Sequence, residues 1–284
     1  MNQKELEKLL KKNKLEHLLE KLGPELRHSI RLETEEYNEK ELKLGQSKIG
    51  GKPDLPESIS WQKDSDGNLL AFIAQINLAE VTDLDAEKIL PKTGILYFFY
   101  DALQEACGYE MSEKEANKFS VLYFDGDLNT LKRTNYPKDL GKEARFSVNK
   151  ITAKQEINIP YSDFLFEVFD EDEAEKLDEL ISDVDDGSIH KMLGYSNNLQ
   201  NPMEIECELI TNGVDINDPE AFETPKAKEL AKNTVDWRLL LQVDSTDGEV
   251  QMDWAGGGRI YFWIKKEDLL NKNFDKFWFS LQCY

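Results

Sequence analysis

The chain has 284 residues, enough for one large domain or two small ones. Apolar residues make up 40% of it, with 14 Phe, 10 Tyr and 5 Trp, the composition of a chain that buries a core and not of a disordered one. Asp and Glu outnumber Lys and Arg by 56 to 35, a formal net charge of −21, which repels phosphate backbones and anionic lipid, so neither nucleic acid nor a membrane is expected as a partner.

The excess acid reads as a solubility device, or as a surface that draws a basic protein or a cation. Cys107, Cys207 and Cys283 are sparse and odd in number, which fits a reducing cytoplasm without a disulfide framework. No apolar run follows the charges at the N-terminus, and 18 consecutive apolar residues occur nowhere, so neither a signal peptide nor a membrane span is expected.

Residues 4–22 carry Leu6, Leu9, Leu10, Leu15, Leu18, Leu19 and Leu22 at helical spacing with a phase break near Asn13. Gly23-Pro24 closes the segment, which predicts an N-terminal helical extension over 1–24 that packs on the surface of the main domain. Residues 27–36 alternate weakly around Ile30 and Leu32, which reads as a strand. Gly50, Gly51, Pro53 and Pro56 lie close together and rule out regular structure, so 47–56 is an extended, shaped segment. Asp64-Ser65-Asp66-Gly67-Asn68 is a turn, because its acids and glycine miss the spacing of a calcium loop.

An apolar strand, Leu70 to Asn77, then leads to a second that opens at Gly94 and carries Tyr97-Phe98-Phe99. A third runs from Ser120 to Asp125, and Glu113 to Asn117 reads as a short helix between them. Weaker alternation marks 144–159. Ser162 to Asp183 is the strongest helix outside the N-terminus, with an apolar stripe of Phe164, Leu165, Val168, Phe169, Leu177, Leu180, Ile181 and Val184, acidic elsewhere, and with Gly187 as its stop. A second, looser segment, His190 to Asn201, carries Leu193-Gly194-Tyr195, and 219–233 reads as a helix. Strands are expected at 237–244, 258–264 and 277–283, with a short helical turn at Lys266 to Leu270.

The two strand groups share one pattern. Gln75 and Asn77 end the first Gln strand, and Gln242 and Asp244 end the second. Tyr97-Phe98-Phe99 and Tyr261-Phe262-Trp263 follow, 22 and 19 residues after the glutamine. The expectation is an α+β fold, mainly antiparallel sheet, built from two related units with pseudo-twofold symmetry plus the N-terminal helix. The units fall roughly at 45–135 and 190–284 within a single duplicated domain over 25–284.

On a plain strand Phe72, Ala74, Ile76 and Leu78 share one face, and Ile73, Gln75 and Asn77 the other. A glutamine among such neighbours needs hydrogen-bond partners. They are sought first in the backbone of the partner unit across the axis, and otherwise in a ligand held in a cleft between the units. Gln75, Asn77, Arg238, Gln242, Asp244 and Trp254 are the candidate cleft residues, although large aromatics at strand spacing are more often core. His17, His28 and His190 have no ligand spacing, so no metal site is expected. No nucleophile elbow or phosphate loop occurs, and Gly256-Gly257-Gly258 precedes a strand and not a helix. No cofactor is expected.

Ser47-Lys48-Ile49-Gly50-Gly51-Lys52-Pro53, Leu55-Pro56, Phe72 to Leu78, Leu193-Gly194-Tyr195, Trp237 to Ser245, Tyr261-Phe262-Trp263-Ile264 and Leu281-Gln282-Cys283-Tyr284 together resemble the bacterial YwqG-like family, a domain of unknown function. The resemblance covers the chain from about residue 25 and implies one compact cytoplasmic protein, with no activity or catalytic residues attached. Gln62 after Trp61, where Pro is typical, and Trp254-Ala255-Gly256, where Trp-Gly-Asp is typical, depart from the pattern. The functional expectation is a non-catalytic intracellular binding or interaction protein, with a small-molecule-binding or hydrolytic enzyme using the inter-unit cleft as the alternative.

Overall fold

The computed structural model describes residues 1–109, 115, 117–160, 162–184, 189–245 and 252–284. Its two aromatic strand groups form opposite ends of one sheet. The first consists of β4 (Leu70–Asn77), β5 (Ile95–Asp101) and β6 (Phe119–Phe124), and the second of β10 (Trp237–Asp244), β11 (Arg259–Lys265) and β12 (Phe277–Gln282). Between them lie β1 (Arg27–Glu36), β2 (Lys48–Ile49), β8 (Asn149–Asn158) and β9 (Lys191–Leu193). The order across the sheet is β12-β11-β10-β9-β1-β8-β2-β4-β5-β6, with antiparallel pairing at each step. A separate ribbon pairs β3 (Asp54–Leu55) with β7 (Lys132–Arg133). The fold is α+β with a mainly antiparallel sheet and an N-terminal helix.

The register of β4 against β5 jumps between Phe72 and Ala74, and that of β10 against β11 jumps between Leu239 and Leu241. An extra residue in one strand reverses the alternation of faces beyond it. Phe72 therefore joins Tyr97, Phe99 and Leu55 in one cluster, while Ala74 and Ile76 belong to the main core. This corrects the expected grouping of Phe72 with Ala74 and Ile76.

The main core lies where the two ends of the sheet face each other. Phe98 meets Phe262 at 5.0 Å, and Tyr100 stacks on Phe279 at 4.4 Å. Phe119 of β6 stacks on Phe279 of β12 at 5.0 Å. The sheet thus curls into a near-barrel whose end strands meet through aromatic rings, each such pair adding roughly 0.5–1.5 kcal/mol beyond its area.

The helices are α1 (Gln3–Lys12), α2 (Leu19–Leu22), α3 (Leu78–Val81), α4 (Ser162–Val168), α5 (Glu171–Val184), α6 (Met203–Thr211), α7 (Pro225–Leu230) and α8 (Lys266–Leu270). A reciprocal Asn2–Glu5 capping box starts α1. Lys14, at φ 61°, accounts for the phase break near Asn13. The expected helix over 219–233 is divided, because Pro219 and Pro225 each start a new short segment. Most of the expected helix at 113–117 and the stop at Gly187 lie outside the described residues.

Leu6, Leu10, Leu15, Leu18 and Leu22 form a second core with Leu165 of α4, Phe169 in the link that follows it, Ala174 and Leu177 of α5, and Ile157 of β8. Deleting residues 1–22 removes five buried leucines from this cluster and none from the main core, at up to about 1.5–3 kcal/mol each as an upper bound. The sheet is expected to keep a cooperative urea transition at a lower midpoint, while α4 and α5 lose amide-exchange protection. Disappearance of the transition would mean that the sheet depends on the leucine cluster.

Candidate functional site

Gln75 and Asp54 build a clasp that ties the glycine-rich segment to β4. Gln75 Oε1 accepts from the Asp54 backbone N–H at 2.8 Å. Its Nε2 donates to the Gln46 carbonyl at 2.8 Å and to Asp54 Oδ2 at 2.9 Å. Tyr97, opposite Gln75 on β5, donates its hydroxyl to the Asp54 carbonyl at 2.7 Å.

The Asp54 carboxylate also receives Arg133 Nε at 2.9 Å, the Gly45 N–H at 3.0 Å and Lys48 Nζ at 3.4 Å. Lys48, Asp54 and Gln75 are fully enclosed. Burial pushes the Asp54 carboxyl up, but Arg133, Lys48, Gln75 and Gly45 together outweigh it and hold it below the usual carboxylate range. Burial pulls the Lys48 amine down to about 8, against the attraction of Asp54.

Gln242 builds a second clasp on β10. Its Oε1 accepts from the Asn197 N–H at 2.9 Å. Its Nε2 donates to the Ile189 carbonyl at 2.7 Å and to Asn197 Oδ1 at 3.4 Å. Tyr261, opposite Gln242 on β11, donates to the Asn197 carbonyl at 2.7 Å.

The same positions recur along both segments. Asp54 follows Lys48 by six residues, as Asn197 follows Lys191. Lys48 pairs across the sheet with Gln75, and Lys191 with Gln242. Gly50 and Gly51 have φ of 68° and 69°, and Leu193 and Gly194 have 59° and 66°. At Gly50 a Cβ would stand 2.0 Å from the Ser147 carbonyl oxygen, so that turn requires glycine. The Asn77 N–H donates to Ser47 Oγ at 2.8 Å, and the Asp244 N–H to His190 Nδ1 at 3.1 Å.

The two clasps also differ. Asp54 takes its cations directly, whereas Asn197 is neutral and Arg259 pairs with Asp244 at 2.9 Å while its Nη1 donates to the Asn197 carbonyl at 3.0 Å. Both glutamines bond within their own half of the chain. That corrects the expectation that they reach the partner unit's backbone: the β9–β1–β8–β2 block stands between β10 and β4.

The remaining candidates have other tasks. Asn77 caps α3 through the Ala79 N–H and donates to the Gly45 carbonyl. Arg238 donates its Nε to both carboxylate oxygens of Glu87 at 3.1 Å, and Lys266 reaches the same carboxylate at 3.2 Å. Trp254 is fully enclosed in the core between Tyr100 and Phe146. The six candidates do not converge on one point. Asp64 receives the backbone N–H groups of Asp66 and Asn68, which makes its segment a turn, and Gly256 and Gly257 have positive φ in another.

Among the described residues, surface hollows of about 540, 550 and 200 Å³ lie beside Cys107 and Lys118, beside Glu57 and Lys132, and beside Arg27 and Glu204. No group of three or more metal-ligating side chains occurs among those residues, and no helix there is long and apolar enough to cross a membrane. Sequence reasoning passed over Lys48, Lys191, Asp54 and Asn197. The signal lay in aligning Ser47-Lys48-Ile49-Gly50-Gly51 with His190-Lys191-Met192-Leu193-Gly194.

Both clasps fall inside one family match. The model for the domain of unknown function DUF1963 matches residues 47–283. The chain belongs to this family. No curated protein matches the chain. The DUF1963 match begins after β1, yet β1 lies in the middle of the sheet between β8 and β9. The family has no assigned activity and therefore gives no residue a role.

Proposed function

We propose that this DUF1963 chain is a cytoplasmic binding or interaction protein without catalysis, akin to the bacterial YwqG-like members, and that its scaffold is two related units about a pseudo-twofold axis. The two-unit reading is supported by the repeated clasp bonds and by sheet register. Lys48 and Ile49 lie opposite Lys150 and Asn149, and Lys191 and Met192 lie opposite Arg31 and Ile30. A twofold that exchanges these sets also exchanges Glu33 with Thr152, which face each other in the β1–β8 ladder.

The binding reading rests on one observation above all. The buried polar groups of both clasps, the best candidates for chemistry in the sequence, are used to hold loops onto the sheet. We place the hydrolytic alternative second because Phe98, Phe119, Phe262 and Phe279 fill the space between the two ends of the sheet. The partner we infer is a basic protein, and its docking face is the exposed acidic side of α5, with Glu171, Asp172, Glu175 and Glu179.

A fluorescent lysine-rich peptide serves as the probe. Reversing Glu171, Asp172, Glu175 and Glu179 to Lys is expected to weaken its binding roughly tenfold at moderate salt, through loss of Coulomb attraction. The same number of reversals outside α5, at Glu16, Glu20, Glu220 and Glu223, is expected to do much less. Equal weakening by both sets would mean that only net charge is at work and would remove the docking face from the proposal.

A further inference from the structure

The two end strands of the sheet are finished differently. Beyond β12 the edge is sealed. The Leu281 N–H donates to the Cys107 carbonyl at 3.0 Å, and Trp278 Nε1 donates to the Gly108 carbonyl at 3.0 Å. Gly108 lies so close that a Cβ there would stand 1.9 Å from the Phe279 carbonyl oxygen. β6 pairs with β5 on one side, and among the described residues no backbone group bonds to its other side. In an antiparallel ladder alternate residues direct both N–H and C=O away from the neighbour, so every second residue of β6 offers these groups outward.

The side chains of β6 suit an interior strand. Phe119 and Val121 lie in the main core, and Leu122 and Phe124 pack on the Tyr97 cluster from the opposite face. Between Phe119 and Phe124 no Pro, Gly or charged residue occurs, although these are the usual means by which an open edge is blunted. Ser120, Leu122, Tyr123 and Phe124 are partly exposed.

Both ends of this edge are acidic. The hollow of about 540 Å³ lies where the chain enters β6, and Asp66, Glu105 and Glu115 line it with one cation, Lys118. The hollow of about 550 Å³ lies where β6 ends at Phe124, and Glu57 and Asp127 line it with Lys132. Asp125, the next residue after the strand, is more than half exposed and holds Lys272 at 3.6 Å. An extended chain advances about 3.3 Å per residue, so a segment of about eight residues laid along β6 reaches from one hollow to the other.

We propose that the outer edge of β6 is a docking site for an extended segment of a partner protein, which adds an eleventh strand to the ten-stranded sheet and carries apolar or β-branched residues at its centre and Lys or Arg at each end. Its backbone takes the outward N–H and C=O groups of β6, its central side chains cover Leu122 and Tyr123, and its two cations enter the acidic hollows. A second copy of this chain suits the edge less well, because each copy carries a net charge of −21 and brings the same acidic ends. The site extends the binding reading to another face and does not involve α5.

The probe is a fluorescent peptide, Lys-Val-Thr-Val-Thr-Val-Thr-Lys, titrated with the full chain at moderate salt. Saturable one-to-one binding is expected, with slowed amide exchange over β6. Methylating alternate backbone nitrogens of the peptide leaves it one edge for pairing, and at least one of the two alternating patterns is expected to bind. Methylating all of them removes both edges and is expected to weaken binding roughly tenfold or more. Glu105→Lys with Asp125→Lys is expected to weaken it roughly tenfold. Glu171→Lys with Glu175→Lys on α5, an equal change of charge, is expected to leave it within about twofold. Urea midpoints establish that each variant is folded, and Glu105→Gln with Asp125→Asn replaces the first pair if that pair is not. Failure of this probe leaves the α5 docking face to its own test. No saturation up to about 1 mM chain, undiminished binding of the fully methylated peptide, or equal weakening by both reversal pairs would overturn the proposal. So would a concentration-dependent dimer in which the β6 amides become protected, since that result assigns the edge to a second copy.

Discussion

Gln75→Leu is expected to destabilise the protein by about 3 kcal/mol, since each buried group left unpaired costs roughly 1–3 kcal/mol. The variant keeps approximate size but strands the Asp54 N–H, and the Asp54 carboxylate loses one of its donors. The Gln46 carbonyl is only part-buried and regains a water. Gln242→Leu is expected to cost about 2 kcal/mol, because the group it orphans most completely is the buried, neutral Ile189 carbonyl. Urea unfolding reads both as a lower midpoint with unchanged slope. Either variant matching the unmodified chain would show that its amide is not a structural clasp. That result would return the residue to the list of ligand contacts.

Asp54→Asn is expected to have the largest effect of any single substitution at these sites, roughly 3–5 kcal/mol near neutral pH. It leaves Lys48 and Arg133 beside a neutral amide where Lys48 has no access to water. The pH dependence follows from the sign of each shift. Asp54 has a depressed folded pKa, so its stabilisation is complete above the unfolded value of about 3.9 and is lost as pH falls toward the folded one. Glu156 is likewise held down, its burial outweighed by Arg31, Lys191 and Ser29, and adds to the same acid loss.

Lys48 behaves oppositely. Its folded pKa of about 8 lies below the unfolded value of about 10.4, so the unfolded chain holds more protons between the two and stability rises with pH across that window. Without Asp54 the window opens at lower pH. The deficit of Asp54→Asn relative to the unmodified chain should therefore shrink between pH 7 and 9, and its decline below pH 4 should be shallower. Urea midpoints from pH 3 to 9 measure both. A deficit constant over the whole range would show that Asp54 does not govern the charge of Lys48.

The strands with strong apolar runs were legible in the sequence because each end of the sheet is made of neighbours close along the chain. β4 leads to β5 and β6, and β10 to β11 and β12, so periodicity and turn residues suffice. The centre of the sheet was legible only in part: weak alternation marks β1 at 27–36 and part of β8, but not how they pair. β2 and β9 are two and three residues long, too short for any period, and the β1–β8 ladder joins Arg27 to Asn158, which no local pattern reports. The bulges at Ile73 and Leu240 were missed because an extra apolar residue in an apolar run leaves no mark.

Helix α6 was missed for a different reason. Glu206 and Glu208 are buried on it alongside Cys207, Leu209 and Ile210, so it lacks the polar face by which a surface helix is recognised. Glu208 is held there by Trp237 Nε1 at 2.9 Å and Lys265 at 2.7 Å. Of the candidate site, the two glutamines stood out as amides in apolar runs. Their partners Asp54 and Asn197 did not, since nothing in an extended, glycine-rich segment marks the residue whose backbone will be gripped.

The position of β1 governs the order in which the molecule can be assembled. Both of its neighbours, β8 and β9, come far later in the chain. During synthesis a ten-residue strand with Ile30 and Leu32 on its inner face therefore waits, unpaired on both edges, until the ribosome has passed residue 158. An unpaired strand of that length is a hazard for intermolecular pairing. Arg27, Arg31, Glu33, Glu35 and Glu36 place charge along it, which keeps it soluble until its neighbours arrive. The local strand groups at either end close over short loops, while the β1–β9 seam, which joins Ser29 to Leu193, spans more of the chain than any other seam of the sheet and carries the largest loop-closure entropy. That seam is therefore the last part of the sheet to form.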